Sequence, residues 1–140
     1  MNTFKEFIDR KESQFEKCRS DFMNNPRKSL LIKMKDIGRK GHHYYLRSNW
    51  TLMQQHNNDE KVFIIERLEL QDVSGKISSR TIKEIGHIEY RIGYFIVGKN
   101  GNRIGKWTWG QFCPMIPCHD LGRLINKAVK EGTILSNHLS

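Results

Sequence analysis

Apolar positions in this chain follow two rhythms. Between Thr3 and Met23, Phe4, Phe7, Ile8, Phe15, Cys18 and Phe22 fall on one stripe about 100° wide at 3.6 residues per turn, which predicts an amphipathic helix. Thr3 and Glu6 have capping-box spacing, and Asn24-Asn25-Pro26 ends the helix, because the residue before a proline is steered out of the helical region. Such a stripe must dock. The domain's own sheet is the expected surface, with a second copy or another protein as the alternative.

Further on, the period shortens to two. Ser29 to Ile37 reads as a short strand and Gly38-Arg39-Lys40-Gly41 as a basic loop. His42 to Met53 reads as a second strand with Tyr44, Leu46, Ser48, Trp50 and Leu52 on its apolar face. Gln54 to Lys61 has no apolar residue and reads as a loop; Val62 to Val73 reads as a long strand, turning at Ser74-Gly75 into a return segment that ends near Ile82.

His87 to Phe112 predicts a hairpin with Asn100-Gly101 as a two-residue turn, since both residue types tolerate positive φ. Residues whose numbers sum to 201 then face each other, which puts Ile88, Tyr90, Ile92, Tyr94, Ile96, Trp107 and Trp109 on one face. Glu89, Arg91, Gly93, Phe95, Val97, Ile104, Lys106 and Thr108 fall on the other. The first face reads as a core floor and the second as an open, mildly basic surface.

Past two prolines, Leu121, Leu124, Ile125, Ala128 and Val129 give helical spacing from Cys118 or His119 to Glu131, with Pro117 before the start and Gly132 at the cap. This helix is expected across the Tyr94/Trp107/Trp109 face. The predicted fold is α+β: one domain over residues 1–140, with an N-terminal amphipathic helix, an antiparallel meander of five or six strands, and a C-terminal helix on one sheet face.

Charge adds a partner class. Lys and Arg number 24 against 15 Asp and Glu, a formal +9. Between Arg27 and Arg47 stand Arg27, Lys28, Lys33, Lys35, Arg39, Lys40 and Arg47 against the single acid Asp36. Local clustering of that kind favours polyanions, DNA or RNA before anionic membrane. Arg39, Lys40 and Arg47 would neutralise phosphates, while His42, His43 and Tyr45 add hydrogen bonds and stacking. Arg91, Lys99, Arg103 and Lys106 could extend the same surface.

Other chemistry is thin. Cys18, Cys113 and Cys118 make a poor disulfide framework, and Cys113, Cys118 and His119 lack a second ligand pair at zinc spacing, so no metal is expected. The six histidines show no catalytic spacing, and Glu66, Glu69 and Asp72 lack the acid-x-lysine arrangement of a metal-dependent nuclease. Glycines 98, 101 and 105 read as turn residues, not a phosphate loop. No cofactor is expected. With no apolar run of about 18 residues and no signal-peptide middle, the expected setting is cytoplasmic, without a membrane. The functional expectation is a small, non-catalytic nucleic-acid-binding protein. The alternatives are an inhibitor or regulator of an acidic protein partner and a small nuclease-like enzyme; another protein at the N-terminal helix and a second copy of the chain, forming a homodimer, are the other candidate partners.

Overall fold

A computed structural model describes residues 3–24, 31–35, 41–74 and 84–140. Arg39, Lys40 and the Ser74-Gly75 turn with its return segment lie partly or wholly outside these residues. The elements are α1 (Phe4–Asn24), β1 (Leu31–Lys35), β2 (His42–Gln55), β3 (Asn58–Ser74), β4 (Ile88–Val97), β5 (Trp107–Trp109) and α2 (Cys118–Lys130). The five strands pair antiparallel in sequence order, a meander of the kind predicted. Among the described residues, no helix is long and apolar enough to cross a membrane.

The unbroken apolar run Val62-Phe63-Ile64-Ile65 shows how the layers are built. All four residues are buried, yet their side chains must alternate between faces. Val62 and Ile64 pack with Leu52, Phe7, Ile8, Phe95 and Trp107, under α1. Phe63 and Ile65 pack with Tyr94, Leu124, Ala128 and Ile134, under α2. A helix therefore seals each side of the sheet.

Both helices end as their sequences require. Thr3 Oγ1 accepts a hydrogen bond from the Glu6 amide at 3.2 Å, capping α1. At the end of α2, Gly132 takes φ +79°, and the Thr133 amide donates back to the Ala128 carbonyl at 2.8 Å. Arg67 Nη1 donates to the Gly132 carbonyl at 2.7 Å, so a cation from β3 meets the negative end of the helix. The α1 stripe docks on the chain's own sheet: Phe7 is 1% exposed and stacks on Trp107 at 4.6 Å, and Phe15 meets Trp50 at 4.5 Å.

Three expectations are corrected. The first is the register of the last hairpin. Phe95 faces Trp109, Ile96 faces Thr108 and Val97 faces Trp107, so paired numbers sum to 204 and not 201. Changing an odd sum to an even one moves every β5 side chain to the opposite face. The cause is local: Asn100 takes φ −133°, which a two-residue primed turn cannot use. The hairpin closes instead at Gly98 and Lys106, through a 3₁₀ turn at Gly101–Arg103. Gly98 is needed there, because a Cβ would lie 2.1 Å from the Arg103 carbonyl oxygen. Trp107 and Trp109 thus share the Phe95 face with α1, and α2 lies across Tyr94 without them. The face expected to be open and basic is the one that α1 covers.

The second correction concerns β2. Register shifts separate Tyr44 from Tyr45 and Arg47 from Asn49, so Ser48 is an extra residue. That insertion puts Tyr45 and Arg47 on the same face as Trp50 and Leu52. The third is the polar segment Gln54 to Lys61, which is not a long loop. β2 runs to Gln55, β3 starts at Asn58, and only His56-Asn57 turns. Polar composition misleads here because ladder hydrogen bonds are made by the backbone, and a partly solvated sheet end leaves polar side chains in contact with water.

Candidate functional site

Glu66 sits at the centre of the α1-side face. Even-numbered β3 residues Val62, Ile64, Leu68 and Leu70 are all buried there, and Glu66 is the one charge in their row, 1% exposed. A buried carboxylate must be paired or neutralised. Arg91, directly opposite on β4, supplies the pair: its Nε reaches Glu66 Oε1 at 2.8 Å and its Nη2 reaches Oε2 at 3.1 Å. Arg47 closes from the other side, with Nε 2.6 Å from Oε2. The Ser48 bulge in β2 is what brings Arg47 round to this face.

Tryptophans hold the two guanidiniums. Arg47 lies over the Trp50 ring at 5.0 Å, and Arg91 lies over Trp109 at 5.0 Å. Each contact is worth about 0.5–2 kcal/mol and fixes the plane of a side chain that would otherwise swing. Trp109 rests against β4 only because position 93 is glycine; a Cβ there would lie 2.6 Å from its ring. Lys11 of α1 completes the wall. Burial, then the neighbouring charges of Arg10 and Arg47, push the Lys11 ammonium below its ordinary pKa, with Glu66 pulling the other way.

Lys11, Arg47, Trp50, Ile64, Glu66, Arg91, Phe95 and Trp109 enclose a hollow of about 380 Å³. Three cations against one carboxylate leave it net positive. Glu66 accepts hydrogen bonds from Nε and Nη2 of Arg91, whereas the nearby Arg47 Nε is close enough for an ion pair but not aligned for a hydrogen bond. The Trp50 indole N–H is buried with no hydrogen-bond partner among the described residues. A larger hollow of about 730 Å³ lies between α2 and Leu139, lined by Met53, Arg123, Lys127 and Lys130. It holds no buried charged group, so the chemistry converges in the smaller one.

The expected site residues divide. Arg47 and Arg91 come together. Tyr45 is buried nearby, its hydroxyl donating to Glu89 at 2.5 Å, and His43 is buried with its ring 6.4 Å from that of Tyr45. Both side chains are almost wholly out of water. His42, half-buried, begins β2 opposite Lys35 and Ser74. Lys99, Arg103 and Lys106 form a separate patch on the β4–β5 loop, where Lys99 pairs with Glu60. Eight residues separate Arg91 from Lys99, about 25 Å along a strand, so one ligand residue could not span the two groups. Arg39 and Lys40 lie outside the described residues.

Lys11 and Trp50 are not among the residues that the sequence singles out; Trp109 reads there as core in preference to a base-stacking platform, and Glu66 as one of three acids without a nuclease arrangement. Glu66 carried a signal nevertheless: a carboxylate in the otherwise apolar row Val62, Ile64, Leu68, Leu70. No protein-family model matches the chain, and no significant match is found among curated proteins or solved structures.

Proposed function

We propose that this chain binds single-stranded nucleic acid, seating a backbone phosphate at Arg47, Arg91 and Lys11 and stacking a base on Trp109. The observation that carries this reading is the convergence of those three cations on one buried carboxylate in a tryptophan-lined hollow. Glu66 preorganises both guanidiniums, so little side-chain entropy is lost when an anion arrives. The hollow's size is within the range of ligand pockets, and Trp109 is 40% exposed, as a stacking platform must be. The formal charge of +9 would speed encounter with a polyanion.

Fluorescence anisotropy with labelled single- and double-stranded oligonucleotides at two salt concentrations tests the proposal. One backbone phosphate neutralised in this seat contributes about −0.7 to the log–log salt slope on a single strand. Lys11→Gln should weaken binding and flatten that slope, and Trp109→Leu should weaken binding at every salt concentration. No binding at low salt, or unchanged binding in both variants, contradicts the reading.

A further inference from the structure

A second cluster forms where the β2–β3 turn meets the start of α2. His56 occupies the turn, while His119 and Asp120 stand in the first turn of the helix. Asp120 Oδ2 accepts a hydrogen bond from the His56 amide at 3.0 Å and lies 2.9 Å from His56 Nδ1. The two imidazole rings are 4.4 Å apart between centroids. One donor atom from each of the three residues lies within 4.8 Å of the others.

Anchoring the turn to the helix accounts for Asp120 and the His56 main chain. It leaves the second imidazole unexplained. Asp120 is 1% exposed, and its Oδ2 is held in place by the His56 amide before any ligand arrives. Both histidines are exposed, so their rings keep access to solvent. Two imidazoles and one carboxylate are the donor set of open transition-metal centres.

We propose that His56, His119 and Asp120 form an open three-ligand site for a zinc-class dication, with the remaining coordination position left to water or an exogenous ligand. Zinc–nitrogen and zinc–oxygen bonds near 2.1 Å place tetrahedral donors roughly 3.4 Å apart, so donors now spread over as much as 4.8 Å must close by up to about 1.4 Å. A turn residue and a helix-start residue with exposed rings allow that movement. Two features weaken the site: the positive end of α2, and Arg123, whose Nη1 lies 3.0 Å from His119 Nε2 and must give way. The affinity is therefore that of an exchangeable site and not of a closed structural one.

The test is calorimetric titration of the chelator-treated full chain with Zn²⁺, alongside absorption spectra with Co²⁺. Cys113 and Cys118 are exposed and follow close in sequence, so the background is Cys113→Ser with Cys118→Ser. One ion per chain should bind in that background, with Co²⁺ giving d–d bands and no thiolate charge-transfer band. His119→Ala, an exposed change that leaves the Asp120–His56 anchor intact, should weaken binding by at least about tenfold, and His56→Ala likewise. Thermal melts show that each variant is folded, and Zn²⁺ should raise the melting temperature of the parent alone. Binding that disappears with the cysteines, survives both histidine changes, or is weaker than about 100 μM throughout overturns the proposal. Nucleic-acid binding is not involved in any of these readouts.

Discussion

Glu66 and Arg91 face each other across β3 and β4 and join through two hydrogen bonds of 2.8 and 3.1 Å, although Glu66 is almost wholly out of water. Removing one partner of such a pair strands a buried charge, which commonly costs about 3–5 kcal/mol. Arg91 keeps 30% of its side chain exposed, so Arg91→Ala should fall at the low end, about 3 kcal/mol. Arg47→Ala, which loses its place over Trp50 and an ion-pair contact that is not aligned as a hydrogen bond, should cost less. Urea unfolding of both variants checks the order, and equal losses would show that Glu66 does not depend mainly on Arg91.

The two tryptophans of β5 should differ. Trp107 is stacked on the buried Phe7, whereas Trp109 is 40% exposed. Trp107→Ala should cost about 3–4 kcal/mol and Trp109→Ala about 1–2 kcal/mol. Chemical denaturation gives both values, and a larger loss at Trp109 would contradict the packing of Trp107 beneath α1.

Position 93 should behave as a partner of Trp109. Gly93→Ala drives a methyl group into the indole ring and should cost about 1–3 kcal/mol. In the Trp109→Ala background the same change should cost much less, because the clash is gone. A double-mutant cycle reads this coupling directly. Additive losses would mean that Trp109 does not lie against β4.

How far this pocket could be read from sequence depended on which step of the fold each residue needed. Element order, strand pairing and both helices follow from period and capping signals, and the cap at Thr3 forms as its spacing implies. Faces were harder. Side-chain direction in a strand depends on parity, so one misjudged turn at Asn100 moved Trp107 and Trp109, and one bulge at Ser48 moved Tyr45 and Arg47. Neither depends on composition, since a bulge and a 3₁₀ turn differ from their alternatives by backbone angles that many residues accept. Arg47 and Arg91 were visible as cations but not as neighbours. Glu66 was legible as an intruder among apolar residues, and its burial implies cationic partners that the sequence alone does not identify.

The proposed role of Lys11 sets binding against stability. Its folded pKa is lowered, first by burial and then by Arg10 and Arg47, so the folded state holds that proton less firmly than the unfolded chain does. Charge on Lys11 at neutral pH therefore costs stability. The cost is full below the folded pKa and fades as pH rises through the window up to the unfolded value of 10.5. Lys11→Met should melt higher than the parent at pH 7, and the gap should narrow as pH approaches that value. The same variant should bind oligonucleotides more weakly. A gap that widens with pH would reverse the assigned sign.

The pocket's role as a phosphate seat is tested most directly by nuclear magnetic resonance of side-chain N–H groups during titration with a single strand of about ten nucleotides at low salt. The Arg47 and Arg91 Nε–H signals and the Trp109 indole signal should shift together and saturate at one strand per chain, with the Arg103 guanidinium signal nearly still. Shifts confined to the Arg103 loop or to Arg123 on α2, with Arg47, Arg91 and Trp109 unmoved, would contradict the account.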